Sequence, residues 1–366
     1  MNLVTAYIDT SALQHNLKRI HKLVPNSKLA AVVKANAYGH GLYPVVKTLN
    51  QDVDAFAVSR IQEAVSLRNQ YISKPILLLE GVYDQDELSL ASNFDLHTTV
   101  HSLEQIKLIE NSHIEKPLKC LLKIDIGMHR LGSSSESEIR ELKERLEKNN
   151  RVLKPVGLIS HLSVADCRGE ELYNNKQINY FWKIAKDLQF NGVISLANSA
   201  GIIRWPESQT QWVRPGIILY GISPFANSTG VDLGLKPVMT LKSTIIAVHN
   251  LKKGDRVGYG AAWQAPQDTT LGVVSAGYGD GYPRTVPNGT PVLINGRLVP
   301  TAGHVCMDMM FVDLGPDATD KPGDIVTLWG EGLPIEKIAA ACGTIPYELV
   351  CHIMPRVNTE IISTKA

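Results

Sequence analysis

A (β/α)8 barrel of the TIM type followed by a mainly antiparallel β domain is the fold class this sequence predicts. Apolar runs of strand length recur through residues 29–219. They are separated by amphipathic stretches of helical length, the pattern of βαβ units and a parallel sheet. Eight such runs over about 200 residues suit a closed barrel better than a doubly wound sheet. Past residue 235 the pattern changes to β-rich runs joined by turns. The expected division is therefore 1–234 for the barrel and 235–366 for the β domain.

The elements follow in order. Residues 6–8 are strand-like, and nothing in the sequence ties them to the barrel, so residues 1–10 are available to pair with the second domain. Asp9, Thr10 and Ser11 offer helix caps ahead of Leu13, Leu17, Ile20 and Val24 at helical spacing, and Pro25 ends that helix. The barrel strands are expected at 29–33, 55–58, 76–79, 96–100, 120–124, 156–160, 193–196 and around 212–219. Pro215 and Gly216 interrupt the last of these. Residues 137–149 and 173–189 read as helices between strands. In the β domain, strands are expected at 239–248, 271–275 and 325–329. Residues 292–299 carry Asn295-Gly296 between apolar residues, a strong hairpin signal. Only 334–342 looks helical there, with proline at its start and Gly343 past its end.

Composition narrows the function. A chain of 366 residues exceeds one ordinary core, and 44% hydrophobic with 20% charged residues describes a globular protein. A net charge of +1 gives no electrostatic case for nucleic acid or an acidic membrane surface. The five cysteines are scattered, odd in number and without metal-ligand spacing, which suits a reducing compartment. The N-terminus lacks the segments of a signal peptide, and no run approaches the roughly 18 apolar residues of a membrane span. A cytoplasmic protein is expected.

Parallel barrels present their chemistry at the carboxyl ends of their strands. Those ends carry Lys34, Lys123 and Asp125 leading into Arg130, then His161, Asn198 with Ser199, and Arg214. Each has a bland explanation as an ion-pair, capping or buried residue; together they make a basic, anion-seeking mouth. Ser199, and Gly216 after Arg214, lie where barrels commonly bind phosphate. A reactive amine beside a phosphate cradle is what pyridoxal phosphate requires.

The stretches that hold these residues carry a resemblance. They are A-V-V-K-A-N-A-Y-G-H-G (31–41), L-K-I-D-I-G-M-H-R-L-G (122–132), I-S-H-L-S (159–163), A-N-S-A (197–200) and V-R-P-G (213–216). G-Y-G-D-G-Y-P-R (277–284) and H-V-C-M-D (304–308) continue it into the β domain. Taken together they resemble the alanine racemase family, collinearly over nearly the whole chain.

The resemblance implies pyridoxal 5′-phosphate as cofactor, alanine as substrate, and a head-to-tail homodimer whose active sites need both chains. Lys34 would hold the cofactor and act as the base facing the D-isomer. Tyr278, from the partner's β domain, would face the L-isomer; by chemistry alone Tyr259 and Tyr282 are equal rivals. Arg214 would face the pyridine nitrogen, and His161 would link Arg214 to Tyr278. Tyr38, Ser199, Gly216 and Ile217 would hold the phosphate, with Asn198 among the cofactor-binding residues. Arg130 and the backbone of Met307 would meet the substrate carboxylate, with Asp308 nearby. Lys123 matches a lysine that is carbamylated in many members. Some members place a phosphate-binding tyrosine where Pro355 stands here, and what replaces it is open. An arginine keeps its proton, so the pyridine would stay unprotonated and be a weaker electron sink than beside a carboxylate.

The product, D-alanine, would feed peptidoglycan. A decarboxylase of the same two-domain plan is the closest enzymatic alternative, but it would place a carboxylate where Arg214 stands and lack Tyr278. A broader-specificity amino-acid racemase is a second. A pyridoxal-phosphate carrier would lack the domain beyond residue 235.

Overall fold

The structure, a computed structural model, describes residues 3–363. The described residues form two compact units, one of residues 3–16, 38–40 and 220–363, the other of residues 17–37 and 41–219.

The second of these is the barrel. Following a first strand, β1 (Thr5–Asp9), come β2 (Lys28–Val32), β3 (Ala55–Val58), β4 (Ile76–Leu78) and β5 (His97–Val100). β6 (Leu118–Lys123), β7 (Val152–Ile159), β8 (Ile194–Ser195) and β9 (Trp212–Val213) complete it. All are parallel, and pairing of β9 with β2 closes the ring of eight. Leu29, Ala30 and Ala31 on β2 and all of β3 are buried, as strands covered on both faces must be. Glu136–Lys148 and Glu171–Asp187 are helices within a residue or two of expectation. Ser135 caps the first of them by accepting from Glu138 N.

Two barrel strands differ from the expectation. The eighth stops at Val213, because Pro215 brings no N–H, and residues 217–220 form a 3-10 turn instead. β7 begins at Val152, ahead of Pro155, with a register shift opposite Lys119 and Leu121 where proline cannot donate to the ladder.

In the other unit, β1 lies between two strands. It runs antiparallel to β10 (Met239–Leu251) and parallel to the chain's last strand. The remaining strands are β11 (Arg256–Val257), β12 (Trp263–Gln264), β13 (Thr269–Val274), β14 (Pro291–Ile294) and β15 (Arg297–Pro300). β16 (Met310–Gly315), β17 (Ile325–Trp329) and β18 (Asn358–Ile362) follow. The main sheet runs β15-β14-β17-β10-β1-β18, with β13 joining β10 to β16. β14 and β15 are the expected hairpin, with positive φ at both Asn295 and Gly296, as the tight turn demands. Ile335–Ala341 is the expected helix, and a second, Pro346–Cys351, is short enough to have left no periodic signal.

Candidate active site

The expected site residues fall into groups on the two units. On the barrel, Lys34 follows β2 directly, and the chain then turns with the wrong hand. Ala35, Asn36 and Ala37 have φ of 52–54°, and Tyr38 has φ 52°. Left-handed geometry costs an L-residue about 1–2 kcal/mol, so this turn stores on the order of 4–8 kcal/mol. Backbone bonds Ala37 N to Val33 O (2.9 Å) and Gly41 N to Asn36 O (3.0 Å) hold it. The Asn36 side chain accepts from Leu42 N at 2.8 Å.

Arg214 is 4% exposed and donates to the Ser195 hydroxyl (2.6 Å) and to the carbonyls of Ser160 (2.6 Å) and Leu196 (3.1 Å). Burial, then Arg130, lowers its pKa to about 10, so it remains a cation at neutral pH. Its Nη2 lies 3.4 Å from His161 Nδ1. Asn198 Nδ2 lies 3.4 Å from His161 Nε2, so both ring nitrogens face donors. Burial, followed by Arg214, Arg130, Lys123 and Lys34, pushes His161 well below the ordinary imidazole pKa and keeps the ring neutral. Asn198 Nδ2 donates to Leu162 O (3.2 Å), while its Oδ1 accepts from Gly201 N (2.9 Å). Asn198 therefore caps the turn that carries Ser199.

Lys123 is buried and donates to Leu79 O at 3.1 Å. Burial, then Arg214 and Arg130, brings its amine down to about 8. A cavity of about 220 Å³ is lined by Lys123, Asp125, Arg130, Ser160 and His161. Asp125 accepts from Gly127 N (2.7 Å) and Met128 N (3.0 Å), shaping the loop that leads to the exposed Arg130. Gly132 closes that loop: a Cβ there would lie 2.6 Å from Lys123 O. Ser199 Oγ accepts from Gly216 N at 2.9 Å, which leaves the hydroxyl proton to donate elsewhere. Ile217, wholly buried, opens the following turn.

On the other unit, Tyr278 is 39% exposed, whereas Tyr282 is fully buried and stacks on Trp329 (5.9 Å, 14°). Tyr282 is thus a core residue and Tyr278 is solvent-accessible; Tyr259 is exposed too, at 70%. The Tyr278 turn is tied to the Cys306–Asp308 loop by Tyr278 N to Cys306 O (3.1 Å) and Gly279 N to Met307 O (2.8 Å). Arg356 joins both loops, donating to Asp280 (2.7 Å), Asp308 (2.8 Å) and Met307 O (3.4 Å). The Arg284 guanidinium stands 5.7 Å from the Tyr278 ring centroid. Arg356 and Asp280 stand 76 residues apart, and no local sequence signal pairs them.

Tyr38 belongs to this same unit. Its ring lies 5.0 Å from that of Tyr220 and 5.9 Å from that of Tyr347, and burial raises its hydroxyl pKa. Gly39 is obligatory beside it: φ is +76°, and a Cβ would fall 1.9 Å from Val350 O. All five cysteines are free thiols. Among the described residues no helix is long and apolar enough to cross a membrane.

Comparison with known proteins covers both units. Residues 8–224 match the model of the alanine racemase N-terminal domain and residues 238–361 that of the C-terminal domain. The chain is 50% identical over 360 residues to the alanine racemase of Photobacterium profundum, covering 98% of this chain and 99% of that protein. Against that of Vibrio vulnificus the identity is 52% over 358 residues, covering 98% and 99%. Among solved structures, the biosynthetic alanine racemase of Pseudomonas aeruginosa superposes with a TM-score of 0.95 at 41% identity, covering 99% and 100%. The alanine racemase of Acinetobacter baumannii does so with a TM-score of 0.90 at 37% identity, covering 99% and 100%.

Proposed function

The chain belongs to the alanine racemase family and is an amino-acid racemase that interconverts L- and D-alanine. From that premise we propose how its own residues carry the reaction, with pyridoxal 5′-phosphate held on the barrel and the second base supplied by a partner subunit.

The donor set fits this cofactor. Lys34 brings an amine to a strand end, Ser199 has a hydroxyl proton to donate, and burial, followed by the neighbouring cations, depresses the pKa values of His161 and Lys123. An anion would relieve that repulsion. This gathering of cations at the strand ends of the barrel is the observation that carries the proposal. Bound there, pyridoxal phosphate supplies an electron sink for the carbanion formed at Cα.

The protein's part is to anchor, orient and move protons. Lys34 Nζ would hold the cofactor and, as a free amine, would take or return the Cα proton on one face. The hydroxyl of Tyr278 of the partner subunit does so on the other. His161, kept neutral, links Arg214 to the hydroxyl of Tyr278 of the partner subunit. Arg214, held by three oxygen acceptors, presents a fixed cation to the pyridine nitrogen. Ser199, Gly216, Ile217 and Tyr38 hold the phosphate, with Asn198 fixing the Ser199 turn. Arg130 and the backbone N–H of Met307 receive the substrate carboxylate, with Asp308 nearby, and a carbamylated Lys123 orients Arg130. The role is D-alanine supply for peptidoglycan in the cytoplasm, with which the free thiols agree.

Mixing two inactive variants tests the shared site. K34A and Y278F, each inactive alone, are unfolded together and refolded as mixed dimers. In a head-to-tail dimer one site of each mixed pair regains both bases, so about one quarter of all sites recover. No recovery would place both bases on one chain, and full two-way rates in Y278F alone would end the two-base assignment. Assay of the parent with a panel of L-amino acids, including serine and a basic amino acid monitored for CO2, sets its breadth.

A further inference from the structure

Beyond the residues assigned above, one carboxylate reaches the turn that follows Lys34. Glu63 Oε1 accepts from Ala35 N at 2.6 Å, a short, charge-assisted bond. Its other oxygen, Oε2, accepts from Ser59 N (3.0 Å) and Arg60 N (3.1 Å), at the start of the helix Ile61–Asn69. One side chain thus binds three backbone donors from two segments.

The Ala35 bond has a particular consequence for Lys34. The peptide plane that holds Ala35 N–H also holds the Lys34 carbonyl, so pinning that N–H fixes Lys34 ψ. The residues that follow are non-glycine and left-handed, a conformation that persists only where its surroundings impose it. Released, the turn would relax toward right-handed or extended backbone and re-aim the Lys34 side chain.

We infer that Glu63 is a positioning residue for Lys34: its Oε1 clamps the left-handed turn at Ala35 and so sets the direction of the Lys34 amine. The inference rests on Lys34 being the cofactor-bearing amine proposed above. The ordinary role for an acidic residue at the third position of a helix is to cap it, and Oε2 already does that. The two oxygens divide the work, and this makes the roles separable. Glutamine keeps one acceptor, enough for the cap, and turns an NH2 donor toward the Ala35 N–H. Alanine removes both.

The experiment begins with the parent protein. Borohydride reduction with pyridoxal phosphate, followed by peptide mapping, locates the attached lysine. A label elsewhere than Lys34 overturns the cofactor assignment and the inference with it. Amide exchange is then followed at Ala35, a measurement that needs no cofactor. The parent amide is expected to be protected and to exchange about tenfold faster or more in E63Q. In E63Q, kcat per bound cofactor is expected to fall by about tenfold or more, with KM for alanine within about twofold and melting close to the parent. E63A is expected to share that loss of kcat and to melt lower. Three results would overturn the clamp while leaving the Lys34 assignment standing. They are an unprotected Ala35 amide in the parent, unchanged exchange in E63Q, or kcat that falls only in step with melting temperature.

Discussion

Gly277 is where the structure makes the sharpest statement about Tyr278. Its backbone is extended, with φ −148° and ψ −171°, so alanine adopts it without conformational cost. The obstacle is steric. A Cβ at Gly277 would lie 2.2 Å from Met307 O and 2.4 Å from Cys306 O, both of them backbone atoms. The two loops must part by about 0.8 Å before the nearer contact reaches 3.0 Å. Parting them stretches the bonds from Tyr278 N (3.1 Å) and Gly279 N (2.8 Å) that tie the turn down. Loss of two such bonds, at about 1 kcal/mol each, with modest overpacking, predicts a destabilisation of about 2–4 kcal/mol. The effect on rate is larger. A base displaced by about 1 Å costs on the order of a hundredfold. G277A is therefore expected to fold, to melt lower, and to lose about two orders of magnitude in kcat in both directions, approaching Y278F. Racemisation followed from L- and from D-alanine, with melting curves, measures both. A folded G277A whose kcat stays within about threefold of the parent would refute the claim that this contact places the tyrosine.

The remaining predictions concern titrating groups. Lys123, brought down to about 8, is substantially neutral near that pH, so its Nζ can attack CO2, forming an N–C bond and releasing one proton. With labelled bicarbonate, a carbamate carbon resonance is expected that strengthens as pH rises through about 8 and is missing in K123A; a resonance that survives K123A would refute the assignment. His97 is lowered from 6.5 to about 4, first by burial and then by Lys119. Its folded pKa lies below the unfolded one, so the unfolded chain binds the proton first. Stability is intact above about 6.5 and falls as pH drops toward about 4, by up to about 3 kcal/mol. H97N is expected to flatten that part of the melting-temperature profile, and an equally steep profile in the variant would count against it.

How much of this was legible beforehand follows from how far each signal reaches along the chain. The barrel was legible because a buried parallel strand is a contiguous apolar run, visible at 55–58 or 76–78 without its neighbours. The strand-end residues were legible with it, since Lys34, Lys123, His161 and Arg214 each close or follow such a run. The hairpin was written in Asn295-Gly296, two residues able to take positive φ. The eighth strand was overextended because its apolar residues 217–219 are buried in a turn as they would be in a strand, and hydrophobicity does not separate the two.

What the sequence by itself determined, then, is the order of strands and the identity of the groups at their ends, because both are set by short-range pattern. Only the tertiary structure decided how those groups are held. It placed β1 between β10 and β18, with residues 5 and 358 side by side. It brought Arg356 to Asp280 and Asp308 across 76 and 48 residues of chain. It set Glu63 against Ala35 across 28 residues, and there it imposed a left-handed turn that the alanines would not adopt alone. Local propensity points the other way at Ala35 and Ala37. Non-local hydrogen bonds override it, and no window of sequence contains both partners.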